Sequence, residues 1–308
     1  MGKEILKAAH ADPDFNVVGV VDIDVSLAGT KLGDHGLEPG NIVISSSFKA
    51  PMTADVVLHA TGSHLESVAP QIEDALAMGF NVVSTCEELS FPFVRHPALS
   101  DAINRSALER ELVVVGTGVN PGFMMDRLPL AMASISHSIN SIHVKRVQDP
   151  RSRRRPFQDK VGMGLSEQEF KNLAANGDFG HVGLEESARL VAVGLNWIFD
   201  DWYHELEPVL DTTHLTVNGL IEILEARTSD GRLLSLHFEA HSGVTESYDS
   251  IKINGRPPVD LCIHGGIAGD DATAASVLQA AKVITSSRKG LISVLDLPLR
   301  HFDNVSHP

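Results

Sequence analysis

Cysteine is nearly absent: the 308-residue chain holds only Cys86 and Cys262. Two distant thiols make neither a disulfide framework nor the paired spacing of a zinc site, so no metal is expected. No apolar run is long enough to span a bilayer, and no basic-then-apolar leader precedes the first element. A cytoplasmic protein with no membrane partner is expected. Positive charge is also short, with 25 Lys and Arg against 40 Asp and Glu and a formal net charge of −15. That argues against a nucleic-acid partner, which needs a cationic surface to release counterions. The 15 histidines are scattered, none in an HExxH pattern, and most read as surface or satisfied core residues. One local exception is RSRRR at 151–155, either a solvated loop or a clamp for an anionic group of a substrate or cofactor.

What is present is the composition of a globular protein, 43% hydrophobic, in a chain long enough for two domains or one large α/β unit. KEILKAAH (3–10) reads as a helix with Ile5, Leu6 and Ala9 on one face, and VVGVVD (17–22) as a buried strand ending in an acid. Strand-like runs then alternate with helices: ADVVLHA (54–60), VAPQIEDALAMG (68–79), FNVVST (80–85), PALSDAINRSALERE (97–111) and LVVVG (112–116). Runs that are apolar throughout belong in a parallel sheet covered on both faces, a doubly wound arrangement.

After residue 120 the rhythm changes. SIHVKRVQ (141–148) reads as a strand, followed by helices near SEQEFKNLAA (166–175) and LEESARLVAVGLNWIF (184–199). NGLIEILEAR (218–227), LLSLHFEAH (233–241) and YDSIKING (248–255) alternate, and SDG and NG read as turns between them. Strands with turn-length connections predict an antiparallel or mixed sheet in an α+β second domain. GDDATAASVLQAAKVITSSRKG (269–290) reads as a long helix that packs back on the first domain. The expected domains are 1–120 with 272–308 for a dinucleotide, and 121–271 for substrate and dimerisation.

The first half carries the marks of a Rossmann-like sheet. In that fold an acid at the end of the second strand binds the adenosine ribose, about twenty residues beyond a glycine loop. Asp22 stands at that place, and Gly2 would be the last glycine of the loop. The strand and glycine-rich turn that should precede Gly2 are missing from the sequence, so an incomplete reading frame or a lost segment is expected; otherwise cofactor affinity is expected to be poor, or another chain must fill the gap. A strand-end loop explains Asp22 alone equally well. Three further loops share its edge: ATGSHLE (60–66) with Thr61, Gly62 and Ser63, STCEE (84–88) with Thr85 and Cys86, and GTGVNPG (116–122) with Asn120, Pro121 and Gly122. Ligands bind outside the carboxyl ends of such strands, and small residues let a cofactor approach the backbone. A carboxylate at Asp22 favours NAD over NADP, though a cation such as Lys31 would offset it; the cofactor is NAD or NADP.

STCEELSFP (84–92), GTGVNPGFMMDRLP (116–129), RVQDPRSRRRPFQDKVGMG (146–164), IHGGIAGDDATAA (263–275) and GLISVLDLP (290–298) together resemble the dihydrodipicolinate reductase-like family. This group includes 2,4-diaminopentanoate dehydrogenase and the native amine dehydrogenases. The resemblance covers nearly the whole chain and implies a Rossmann domain plus an α+β domain, NAD or NADP, interconversion of amines and carbonyl compounds, and a homodimer formed through the second domain's sheet. The histidine-rich stretch with lysine and the PSGT motif of true dihydrodipicolinate reductases are both missing, which disfavours lysine biosynthesis.

Reductive amination needs a base, because ammonia is mostly ammonium at neutral pH, and an iminium gains from a nearby negative charge. Glu87, just past a strand end, is the candidate, with Glu88 as the alternative. Its position aligns with a lysine that related sugar and homoserine oxidoreductases use on oxygen. Two acids stabilising a helix start would explain the pair equally. Asn120, Pro121 and Gly122 read as a loop beside the nicotinamide or as a plain turn. Phe123, Met124, Met163 and Trp197 are candidates for an apolar substrate pocket, with core packing the alternative. Arg155, Gln158 and Lys160 are candidates to grip a substrate carboxylate. The expected reaction is amine dehydrogenation, with an amine or carbonyl substrate and ammonia. A different imine or carbonyl reduction is one rival, and a non-catalytic subunit without its phosphate loop is another.

Overall fold

The computed structural model describes residues 1–48, 53–175, 179–211, 213 and 216–301. Residues 302–308, assigned above to the dinucleotide domain, lie outside the described residues. The chain divides into two compact units, Met1–Gly122 with Gly269–Pro308, and Phe123–Ala268.

In the first unit, helix α1 (Gly2–Ala11) precedes two short strands, β1 (Val20–Val21) and β2 (Ile44–Ser45), which pair in parallel. Then come β3 (Val56–His59), α2 (Leu65–Ala77), β4 (Asn81–Ser84), α3 (Pro97–Glu109) and β5 (Val113–Gly116). The run expected at 17–22 is a strand only where β2 supplies a ladder, because β1 is paired on one side alone. Among the described residues no strand joins β1 to β3. The apolar segments VVLH, NVVS and VVVG form adjacent parallel strands, as fully buried strands should. Helix α2 covers them with Leu65, Val68, Ala69, Ile72, Ala75 and Leu76, a stripe at helical spacing with every member buried.

The second unit holds α4 (Arg127–Ala133), β6 (Ser138–Gln148), α5 (Arg155–Lys160), α6 (Glu167–Ala175), α7 (Leu184–Leu195), β7 (Asp201–Asp211), β8 (Thr216–Arg227), β9 (Leu233–His241), β10 (Tyr248–Arg256) and β11 (Val259–His264). Its six-stranded sheet runs β11-β10-β6-β9-β8-β7 and is mixed, since β6 and β9 are parallel while the other pairs are antiparallel. Alternation decides the covered face: Leu234, Leu236, Phe238 and Ala240 of β9 are buried, and the residues between them are half-exposed.

Two sequence expectations are corrected here. SDG is a turn, with Gly231 N–H bonded to Thr228 O, but the NG pairs at 218–219 and 254–255 lie inside strands at register shifts. Gly219 has φ +145°, and a Cβ there would collide with the backbone of Ala240 and His241, so the glycine serves a bulge. The helix expected to reach residue 199 stops at Leu195, because Asn196 turns left-handed at φ 54°.

The chain returns to the first unit through α8 (Gly269–Ile284), which ends six residues before the expected 290, and β12 (Gly290–Ile292), which pairs with β5. Asp270 and Asp271 sit in the first turn of α8, where its dipole favours acids.

Candidate active site

His59, Ser84 and Gly116 end β3, β4 and β5 in register, so the loops that follow leave one edge of the parallel sheet together. These loops are stitched to each other. Thr85 N–H donates to His59 O at 2.9 Å, Thr117 N–H to Ser84 O at 2.8 Å, and the Cys86 thiol to Ser63 O at 3.1 Å. His59 Nδ1 lies 2.7 Å from Ser84 Oγ, and its Nε2 lies 2.8 Å from Thr61 Oγ1 and 3.1 Å from Gln71 Oε1. Burial pushes the His59 pKa down despite the Gln71 contact, so the ring is a neutral tie between two strand ends.

Gly116 sets the position of both candidate acids. A Cβ built on it would stand 2.5 Å from Leu89 C and 2.6 Å from Ser90 N, so the 3-10 turn Glu88–Ser90 rests directly on the end of β5. Glu87 opens that turn and stays half-exposed at the strand edge. Glu88 is 4% exposed, and its two oxygens meet four donors. Leu65 N–H donates to it at 2.6 Å and Arg95 Nη1 at 3.1 Å, while His96 Nε2 lies at 2.9 Å and His64 Nδ1 at 3.1 Å. Burial alone would raise its pKa; the Leu65 N–H, the His64 contact and the two imidazoles overcome it and hold the carboxyl below its usual range. Glu88 therefore fastens the amino end of α2 to the turn, and the two acids that sequence could not separate have different surroundings.

Of the other candidates on this edge, Thr61, Gly62, Ser63 and Thr85 lie on neighbouring loops, with Thr61 exposed and the rest half-buried. Cys86 turns its thiol into the core, where burial and then Glu87 and Glu88 push its pKa up to about 12. It offers a ligand only its backbone. Asn120, Pro121 and Gly122 close a tight loop: Gly122 has φ +126°, and a Cβ there would stand 2.5 Å from Gly118 N. Thr273 Oγ1 of α8 accepts Val119 N–H at 3.2 Å and ties the loop down. Asp22 follows β1, half-exposed, with its Oδ1 taking Asp24 N–H at 2.9 Å. Gly2 is the first residue of α1.

Phe123, Met124, Met163 and Trp197 belong to the second unit. Met124 is 1% exposed. Met163 packs in a cluster with Phe157, Phe170 and Phe238. Trp197 is outside that cluster, edge-on to Phe199 at 6.0 Å and under the Arg232 guanidinium at 5.1 Å. The structure thus does not bring Met163 and Trp197 together.

The arginine run is also sorted. Arg151 is spent on Asp149 at 2.6 Å and Arg155 on Asp159 at 2.8 Å, both exposed, and Gln158 Nε2 donates to Arg153 O at 2.9 Å. Arg155 and Gln158 thus each have a partner within their own segment. The arginine that turns inward is Arg153, which donates to Gln148 Oε1 at 3.0 Å and lies 4.3 Å over the Phe157 ring. Sequence reasoning missed the His59 tie and the buried Arg146. Among the described residues no group of three or more His, Cys, Asp or Glu side chains is arranged to hold a metal, and no helix is long and apolar enough to cross a membrane.

Comparison with known proteins agrees with this architecture. Residues 123–304, more than half the chain, match the 2,4-diaminopentanoate dehydrogenase C-terminal domain. A 2,4-diaminopentanoate dehydrogenase of Acetoanaerobium sticklandii is 28% identical over 305 residues, covering 92% of this chain and 86% of that protein. Among solved structures, an amine dehydrogenase from Mycobacterium smegmatis superposes with a TM-score of 0.86 at 17% identity, covering 97% of this chain and 94% of the other. GenD2 from gentamicin A biosynthesis, solved with NAD, gives 0.59 at 15% identity, covering 96% and 86%. These structures share a Rossmann-type dehydrogenase fold with the chain. From the matched domain, the chain belongs to the 2,4-diaminopentanoate dehydrogenase family.

Proposed function

We propose that this protein is an NAD(P)-dependent amine dehydrogenase, joining ammonia to a ketone or aldehyde by reductive amination and oxidatively deaminating a primary amine in reverse. The observation that carries the reading is the separation of the two acids. Glu88 is buried and met by four donors, whereas Glu87, one residue earlier, is half-exposed at the carboxyl edge where open α/β sheets bind ligands. Glu87 is the base: its carboxylate takes a proton from ammonium so that the free amine can attack the carbonyl, and it favours the positive iminium carbon–nitrogen group that follows.

The edge suits a dinucleotide. Asp22 would accept hydrogen bonds from ribose hydroxyls, while the small residues at 61–63, Thr85 and the 120–122 loop would let it approach the backbone. Bound there, NAD or NADP supplies or accepts the hydride. His59, Ser84 and Gly116 keep the loops in place during the reaction. The A. sticklandii relative makes 2,4-diaminopentanoate the first amine to try. The test is oxidation of NADH and NADPH with small ketones and aldehydes, with and without ammonium. Ammonium-dependent turnover supports the reading; equal rates without ammonium would favour carbonyl reduction. Assembly is part of the proposal: the half-exposed face of the six-stranded sheet, bearing His143, Lys145, His237 and Glu239, is the dimer face. Light scattering at twice the chain mass checks it.

A further inference from the structure

The outward face of the six-stranded sheet carries its charge unevenly, and strand register shows where each group stands. At one end, Tyr203, Glu205 and Glu207 of β7 stand beside Glu225, Ile223 and Ile221 of β8. Arg227 lies 2.9 Å from Glu225, yet the corner is acidic. Tyr203 feels this: its hydrogen bond to Glu205, and then the charges of Glu205, Glu207 and Glu225, push its hydroxyl pKa up. At the other end, the outward residues include His143 and Lys145 of β6, Lys252 of β10, and Cys262 and His264 of β11. Acids near them are matched locally. Glu239 lies 2.8 Å from Lys145, Asp260 3.4 Å from Lys252 and Glu246 3.4 Å from His264. The Lys252 pair is exposed on both sides, so it is easily given up.

Two copies joined by a two-fold axis make an isologous interface, in which residue i meets j and j meets i. Sheets packed face to face keep their strands nearly aligned, so the axis runs in the plane of the face either across the strands or along them. An axis across the strands lays each strand on its own copy. Glu205 then faces Glu205, Lys145 faces Lys145, and Glu207 faces Tyr203 in an acidic corner, a stack of like charges that costs affinity. An axis along the strands, between β6 and β9, lays β8 on β10 and β7 on β11. Matching rows then meet: Glu225 of one copy faces Lys252 of the other, Glu207 faces His264, and Ile221 faces Tyr248.

We propose that two copies stack face to face about a two-fold axis along the strands, each laying its acidic β7 and β8 over β11 and the basic β10 of the other. Opposite charges select this orientation, and the half-exposed Ile221 and Tyr248 are covered by it. The arrangement rests on the dimer face proposed above, not on the reaction.

Cys262 supplies the test. It shares a row with Glu205 but lies at the opposite edge of the sheet, five strand spacings or roughly 24 Å away. Across the proposed interface, Cys262 of one copy faces Glu205 of the other at a sheet separation of about 10 Å. The full chain carrying Glu205→Cys is treated with a short bismaleimide and run on a denaturing gel; buried Cys86 stays silent. A covalent dimer is expected, and neither the wild type nor Glu205→Cys combined with Cys262→Ser should give one. A covalent dimer of the wild type would mean that Cys262 faces its own copy, and would overturn the proposal. So would failure of Glu205→Cys to cross-link. Charge gives a second readout on outward residues that the fold does not need: Glu225→Lys should raise the dimer dissociation constant about tenfold, and adding Lys252→Glu should restore it. A loss that Lys252→Glu does not repair counts against the arrangement. Light scattering of the wild type separates the failures: a monomer overturns the assembly and this arrangement with it, whereas a dimer that fails the cross-linking test overturns the arrangement alone.

Discussion

Glu88 and His59 at the edge of the parallel sheet and Arg146 on the covered face of the mixed sheet are buried polar groups with opposite surroundings. At the first, Glu88 has four donors around two oxygens, and the His59 ring has a partner at each nitrogen. At the second, Arg146 Nη1 and Asp249 Oδ1 are buried without a hydrogen bond. A saturated polar group holds backbone in place, and a removed partner leaves its donors desolvated. An unsaturated one has its cost already inside the folded state. Glu87, beside the saturated cluster yet half-exposed, is the acid we propose meets substrate.

The sharpest break of this contrast is Glu88→Ala, which removes the acceptor of the buried Leu65 N–H and the carboxylate beside His96. A loss of about 3 kcal/mol is expected in urea unfolding. A loss below about 0.5 kcal/mol would mean the cluster holds nothing together. Next is Gly116→Ala, whose methyl would stand 2.5 Å from Leu89 C. Overpacking of about 1–3 kcal/mol is expected, together with reduced turnover, because the turn carrying Glu87 must shift.

Acid should weaken the fold gradually. The folded pKa values of His59 and His181 lie below the ordinary histidine value of 6.5, so below that pH the unfolded chain takes up protons the folded chain refuses. For His181 the loss continues toward pH 3, at a limiting slope of about 1.4 kcal/mol per pH unit. Glu88 acts in the same direction lower down: its contribution is present above the ordinary carboxyl value of 4.5 and is lost as pH falls through its depressed value. Melting temperatures between pH 7 and 4 should therefore fall steadily. The smallest effect is chemical: exposed Cys262 should react with iodoacetamide at pH 8, while buried Cys86, with its pKa near 12, should not until the protein unfolds.

Much of the fold was readable in the sequence, for reasons that also mark the limits. VVLH, NVVS and VVVG announce buried parallel strands by lacking alternation, and LLSLHFEAH announces a one-sided sheet by having it. Strand β7 gave no such signal, because DWYHELEPVLD is an edge strand, mostly exposed, where Pro208 costs no ladder bond. Asn-Gly reads as a turn or a bulge with equal ease, since both need the glycine's freedom. At the site, the loops on one edge were visible, but the difference between Glu87 and Glu88 was not. Glu88 takes donors from Leu65, Arg95 and His96, which only the fold brings together. Arg146 did leave a trace: it continues the Ile142, Val144 parity that the strand buries.

The central claim is that Glu87 performs the proton chemistry while Glu88 holds the structure. Ammonium-dependent oxidation of NADH or NADPH, measured beside the melting temperature in Glu87→Gln and Glu88→Gln, tests it most directly. Glu87→Gln should lower kcat by about 100-fold or more with melting unchanged, and Glu88→Gln should lower melting more than kcat. Full turnover by Glu87→Gln would contradict the account.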